Sequence, residues 1–221
     1  MKFRYIGKLK SIDDLKIPDL QLKDDKRNNY NIALIDNEDF PLMELLKGHG
    51  FVIDKFEDIS SVKQLEAYNI ILCDIKGVGL HFNQTYQGAY LIKEIYKAYP
   101  FKIIMAYTGS NYDSRYNEYL KFAEYNIQKD EESETWVEKL DDAIKQLSKI
   151  EYRWIRIRDS LIKKNVSLLN LALLEDDFVR RVIEKKSLED FPSRRISKSF
   201  SREDVAILTS FIKTITKILL V

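Results

Sequence analysis

Ile70-Ile71-Leu72-Cys73-Asp74 decides how this chain reads: four apolar residues end on a carboxylate, in a run too short for a buried helix. Working outward, similar short runs recur as Ile32-Ala33-Leu34-Ile35, Phe51-Val52-Ile53, Lys102-Ile103-Ile104-Met105-Ala106-Tyr107 and Tyr125-Asn126-Ile127. Strands buried on both faces give such runs, since neither face needs a polar residue. Between them lie stretches of helical spacing. Pro41–Lys47 stops at Gly48 and Gly50, Ser60–Ala67 is short, and Gly88–Tyr99 places Ala89, Leu91, Ile92, Ile95 and Tyr96 on one face. Asn111–Phe122 follows the fourth strand, and Thr135-Trp136-Val137-Glu138 has the capping-box pattern for a helix reaching Leu147. Five strands alternating with five helices predict a doubly wound α/β unit with a parallel sheet.

In such a sheet, side chains just past the carboxyl ends of the strands share one crevice. The residues there are Asp36-Asn37-Glu38 after the first strand, Asp74 after the third, Thr108 after the fourth and Lys129 after the fifth. Carboxylates supply hard oxygens to a divalent cation, and an ammonium neutralises phosphoryl oxygens. The set therefore suits a cation and a phosphoryl group together. Taken singly, each residue has a plainer reading as a turn cap or a solvated surface group.

Leu34-Ile35-Asp36-Asn37-Glu38, Leu72-Cys73-Asp74, Ala106-Tyr107-Thr108-Gly109 and Gln128-Lys129 resemble, in order, the four fingerprints of the response-regulator receiver family (CheY-like). The resemblance covers residues 31–148. It implies a flavodoxin-like five-stranded parallel sheet of order 2-1-3-4-5. It also implies that Asp74 accepts a phosphoryl group from a partner histidine kinase or phosphotransfer protein, with Mg2+ held by Asp36, Asn37, Glu38 and Asp74. Lys129 and Thr108 would stabilise the phosphoryl group and switch the surface, with Tyr125 and Asn126 as relay. Such a protein is a phosphorelay component rather than an enzyme in the ordinary sense.

The chain departs from the family at Asn37, where an amide replaces a charged metal ligand, and at Asp130, where proline is usual. The Ile75–Gln87 loop is longer than the family's; it can cover the site, admit a different partner or bring in Lys76 as a further cation. A pseudo-receiver that serves as an interaction scaffold without taking phosphate is the alternative reading.

The flanks are different in kind. Residues 1–30 read as an N-terminal extension ending in the polar run Lys23-Asp24-Asp25-Lys26-Arg27-Asn28-Asn29, and 149–221 as an all-helical output or dimerisation region. Leu140, Leu147, Trp154, Leu161 and Leu168 recur every seven residues, with Ala143, Ile150 and Ile157 between them. That is the pattern of a coiled coil growing out of the last receiver helix and forming a homodimer, or of a packed hairpin broken at Asn165-Val166-Ser167. A last helix is expected from Arg202 to Val221, capped by Ser201.

The region after Ser148 carries 16 Lys and Arg against 10 Asp and Glu, while the front is acidic. Arg153-Trp154-Ile155-Arg156-Ile157-Arg158 and the cluster of Arg194, Arg195 and Lys198 admit nucleic-acid contact as a lesser alternative, without a helix-turn-helix signature. One cysteine and two histidines fit a reducing, cytoplasmic setting and give no zinc site. Val205–Val221 is interrupted by Lys213 and Lys217, so no membrane span is expected.

Overall fold

A computed structural model describes residues 8–15, 27–109 and 114–219. The chain divides into two compact units, and the division falls after Arg153 rather than after Ser148. Residues 8–15 do not stand alone as an extension; they cluster with the chain from Trp154 onward, while 27–153 form the other unit.

The 27–153 unit is built on five parallel strands: β1 (Asn31–Ile35), β2 (Val52–Phe56), β3 (Ile70–Asp74), β4 (Ile103–Thr108) and β5 (Tyr125–Gln128). Their order is β2-β1-β3-β4-β5, as expected. Its helices are α1 (Met43–Gly48), α2 (Gln87–Ala98), α3 (Asn117–Leu120) and α4 (Ser133–Leu147). Leu46 of α1 and Trp136, Leu140, Ala143, Ile144 and Leu147 of α4 pack with Ile32, Leu34, Ile70, Leu72, Ile103 and Met105 on one sheet face. The alternate residues Ala33, Ile71 and Cys73 are also fully buried, because the α2 layer covers the second face. Burial on both faces is why these strands read as continuous apolar runs.

Several elements differ from expectation. Ser60–Ala67 is reduced to a 3-10 turn, Val62–Leu65, with the Ser61 hydroxyl accepting from Lys63 N. Of the expected Asn111–Phe122 helix, residues 111–113 lie outside the described residues; the remainder holds a 3-10 turn at Ser114–Tyr116 and the single turn α3. Helix α4 starts at Ser133, ahead of the Thr135 capping pattern, and Glu132 at its N-cap makes no side-chain cap. Arg27 grips Asp141 of α4 with two hydrogen bonds of 2.8 and 2.7 Å and stacks over Phe51.

The second unit contains most of α5 (Ile150–Lys163), together with α6 (Leu168–Ile183), α7 (Arg194–Ser197) and α8 (Arg202–Leu219). The seven-residue pattern does not make one long helix. Ser148 and Lys149 separate α4 from α5, and Asn165, at a φ of 61°, turns the chain between α5 and α6. The result is the packed hairpin: Trp154 of α5 stacks on Phe178 of α6 at 4.6 Å, and Phe191 and Phe211 close around them. Leu168, which continues the spacing, is 74% exposed. Ser201 caps α8 as expected, accepting from Asp204 N while Asp204 accepts from Ser201. The 8–15 segment is tied to α6 by main-chain donors, Lys10 N to Asp176 and Ile12 N to Glu175, both at 2.7 Å.

Candidate functional site at the carboxyl rim of the sheet

Strand alternation builds the site. Leu34, Leu72, Met105 and Ile127 all point into the layer under α4. Two residues further on, Asp36, Asp74, Tyr107 and Lys129 have the same parity and fall on the same face, at or just past the strand ends. Asp74 lies opposite Tyr107 in the parallel register. Thr108 has the other parity.

The Lys129 ammonium is the centre of the group, 2.7 Å from Asp74 Oδ2, 3.3 Å from Asp36 Oδ2 and 3.4 Å from Glu38 Oε2. Asp36 is fully buried and Asp74 nearly so, whereas the Glu38 side chain is exposed. Each buried carboxylate has one oxygen fixed by main chain: Asp36 Oδ1 accepts from Glu38 N at 2.8 Å, and Asp74 Oδ1 from Ile75 N at 2.7 Å. Asp36 Oδ2 also accepts from the Tyr107 hydroxyl at 2.8 Å.

These contacts set the ionisation. Burial raises the Asp74 carboxyl above the usual aspartate value, the Lys129 contact opposes that, and the neighbouring Asp36 charge adds to it. Burial works against the Lys129 ammonium, but its pairing with Asp74 and Asp36 outweighs this and holds it above the usual lysine value. Burial, then the charge of Asp36, keeps the Tyr107 phenol protonated and so a permanent donor.

The expected site residues are thus partly brought together. Asp36, Glu38, Asp74 and Lys129 meet. Asn37 instead lays its amide against Gly77, a residue at a φ of 78° whose missing side chain makes the approach possible. Thr108 contributes its carbonyl, which accepts from Lys129 N at 2.9 Å, and its hydroxyl bonds to none of Asp36, Asp74 or Lys129. Tyr125 is bound to α4 through Gln146 Nε2 at 2.8 Å, and Asn126 is exposed, lining a cavity with Asn117, Leu120, Lys121 and Ala123. Tyr107 was missed as a site residue by the sequence reading, where it counted only as the end of the fourth strand run and as a member of the third fingerprint. Its alignment with Asp74 was the available signal.

The 75–87 loop is held by its own side chains, Gln87 accepting from Gly77 N and Asn83 from Thr85 N and Tyr86 N, and by Asp58 after β2, which accepts from Gly79 N. Lys76 reaches the pocket by main chain only, its N at 3.5 Å from Asp74 Oδ1.

Among the described residues no three acidic, histidine or cysteine side chains form a ready-made metal cage. The donor chemistry nevertheless fits a hydrated magnesium ion, which is commonly held by one or two carboxylates while keeping several waters. Three carboxylates around one ammonium make an oxygen-rich pocket, in which the Asp36 charge adds to burial in raising the Asp74 carboxyl.

No protein-family model and no curated protein matches the chain. Solved structures do. A response-regulator receiver domain protein (CheY-like) from Methanospirillum hungatei JF-1 is 17% identical, with TM-score 0.45, over 53% of this chain and 95% of its own. The receiver domain of NtrX from Brucella abortus is 18% identical, with TM-score 0.44, over 52% of this chain and 98% of its own. The strand order β2-β1-β3-β4-β5 is by itself that of a doubly wound, flavodoxin-like parallel sheet. The chemistry of the 27–153 unit rests on its own residues. A longer NtrX structure from Brucella abortus, in complex with ADP, matches over 71% of this chain, which spans about a third (34%) of that protein.

Proposed function

We propose that the 27–153 unit is a phosphoryl-accepting switch and that Asp74 is its acceptor. The observation that carries this is the Lys129 ammonium shared between Asp74 and Asp36 at 2.7 and 3.3 Å on the carboxyl rim of the sheet. Asp74 Oδ1 is occupied by Ile75 N, which leaves Oδ2, on the Lys129 side, to attack phosphorus. The bond from phosphorus to the donor's leaving atom breaks as the acyl phosphate forms, and the donor leaves with the electron pair. Lys129 stands where charge gathers on the phosphoryl oxygens, and its raised pKa keeps it cationic.

Asp36, Asp74 and Glu38 are the residues that would hold magnesium, with Asn37 at the edge of the set. A bound magnesium ion would offset charge on the transferring group. The natural donor in this reading is a phosphohistidine of a kinase or phosphotransfer protein in the cytoplasm. The helical unit would then carry output, as a homodimer or by docking an effector.

The experiment is intact-mass measurement after incubation with acetyl phosphate and Mg2+. One added phosphate, absent in Asp74→Asn and without Mg2+, is the expected result. An unchanged mass overturns the proposal.

The scaffold alternative draws on Asp36, both of whose oxygens are already held by protein donors. Nucleic-acid output has less behind it: Arg153 is buried and donates to Leu147 O, and Arg158 lies 3.8 Å from Glu175. Among the described residues no helix is long and apolar enough to cross a membrane.

A further inference from the structure

Tyr107 joins two things that are otherwise separate. Its hydroxyl donates to Asp36 Oδ2, the oxygen that faces Lys129. Its ring sits 5.7 Å from Phe40, in the loop after β1, and 5.6 Å from Trp136 in the first turn of α4. Phe40 and Trp136 are themselves 5.2 Å apart and nearly perpendicular, so the three rings form a closed triangle. Tyr107 and Trp136 are completely buried and Phe40 nearly so, which leaves no room for one ring to turn without moving the others. The Trp136 indole N–H is buried and has no hydrogen-bond partner. Such a group is costly to leave unpaired and responds strongly to any donor or acceptor that shifts beside it.

We propose that Tyr107 is a positioning residue of the pocket. It holds Asp36 against Lys129 and passes a change in the pocket to Trp136 and the start of α4. The inference rests on the phosphoryl-switch reading above and adds to it the element that senses the switch. Phosphoryl transfer to Asp74 draws Lys129 toward the new oxygens and away from Asp36. Asp36 Oδ2 then keeps a single side-chain donor, Tyr107, and the phenol follows it. The ring triangle converts that movement into a displacement at Trp136. Helix α4 is the last element before the chain continues into α5, so a displacement there lies next in sequence to the helical unit.

Tyr107→Phe keeps the ring and removes only the hydroxyl, so it separates coupling from packing. Three quantities are read on the full chain: thermal midpoint, rate of phosphate uptake from acetyl phosphate with Mg2+, and tryptophan emission during uptake. Wild type is expected to take up phosphate with a change in emission that Trp136→Phe loses, which assigns the signal to Trp136 rather than Trp154. Tyr107→Phe is expected to melt cooperatively within a few degrees of wild type, to take up phosphate on the order of ten-fold more slowly, and to show no emission change. An unchanged rate or an unchanged emission response in Tyr107→Phe overturns the proposal while leaving the switch reading intact. So does wild-type uptake without an emission change. Loss of cooperative melting in Tyr107→Phe marks the hydroxyl as a folding group and also overturns it. Wild type that takes up no phosphate removes the switch reading and this inference together.

Discussion

Gly88 packs against the main-chain oxygen of Asp74: a Cβ at position 88 would fall far inside the van der Waals contact distance from that oxygen. Gly88 N also donates to Ile75 O at 3.1 Å, so the first turn of α2 is seated on the strand end that carries the proposed acceptor. Gly88→Ala cannot be relieved by a rotamer change, because the obstacle is backbone. We expect a loss of about 2–3 kcal/mol in urea unfolding, with phosphate uptake reduced even where the variant remains folded. A variant as stable and as active as wild type would contradict this contact.

Asp74→Asn should stabilise the protein at neutral pH while abolishing uptake. The folded-state carboxyl is raised, so between the usual aspartate value and that raised value the folded protein binds more protons than the unfolded chain, and stability falls as pH rises through the window. A neutral amide escapes that cost. The midpoint difference between variant and wild type in urea, without divalent cations, should be largest near neutrality and vanish below the usual aspartate value.

Lys129→Gln should have the opposite sign. It leaves two buried carboxylates without their cation, at an expected cost of about 1–3 kcal/mol at neutral pH, the lower part of the range reflecting the partial exposure of Lys129. Because the folded-state ammonium is raised, its stabilisation is fully present below the usual lysine value and is lost as pH climbs through the raised one. Denaturation of both proteins along an alkaline pH series should show the gap closing there and not before.

Lys102 gives a second pH signature, away from the site. Its amine is buried, donating to Leu65 O and, at 2.8 Å, to Glu66 O, over the Tyr99 ring. Burial lowers it to about 7. The unfolded chain therefore binds more protons from there up to the usual lysine value, and wild-type stability should rise with pH across that interval. Relative to Lys102→Met, wild type should gain stability over the same interval, as read from urea midpoints. A flat difference would mean that the amine is solvated.

Much of the fold was legible because strand runs such as Ile32–Ile35 and Ile70–Cys73 report burial on two faces without reference to anything distant. The helix after β4 and the seven-residue pattern past Leu140 were less legible. Spacing records which residues are apolar, and both a long helix and a broken hairpin satisfy it. Asn165 at positive φ and the Trp154–Phe178 stack decide for the hairpin. Of the site, Asp36, Asp74 and Lys129 could be placed from strand ends, whereas the Asn37 approach to Gly77 depends on a loop whose course no local pattern dictates.

By itself the sequence determined that four of the five short strands would lead into Asp36, Asp74, Thr108 and Lys129, because alternation and strand length are properties of neighbouring residues. Only the tertiary structure decided that Lys129 would reach Asp74 across 55 positions and that Tyr107 would reach Asp36 across 71. It also decided that the segment at residues 8–15 would belong with α6. The reason is physical. Such pairings follow from strand order, register and the packing of rings in a closed interior, and these are fixed only when distant parts of the chain compete for the same buried volume.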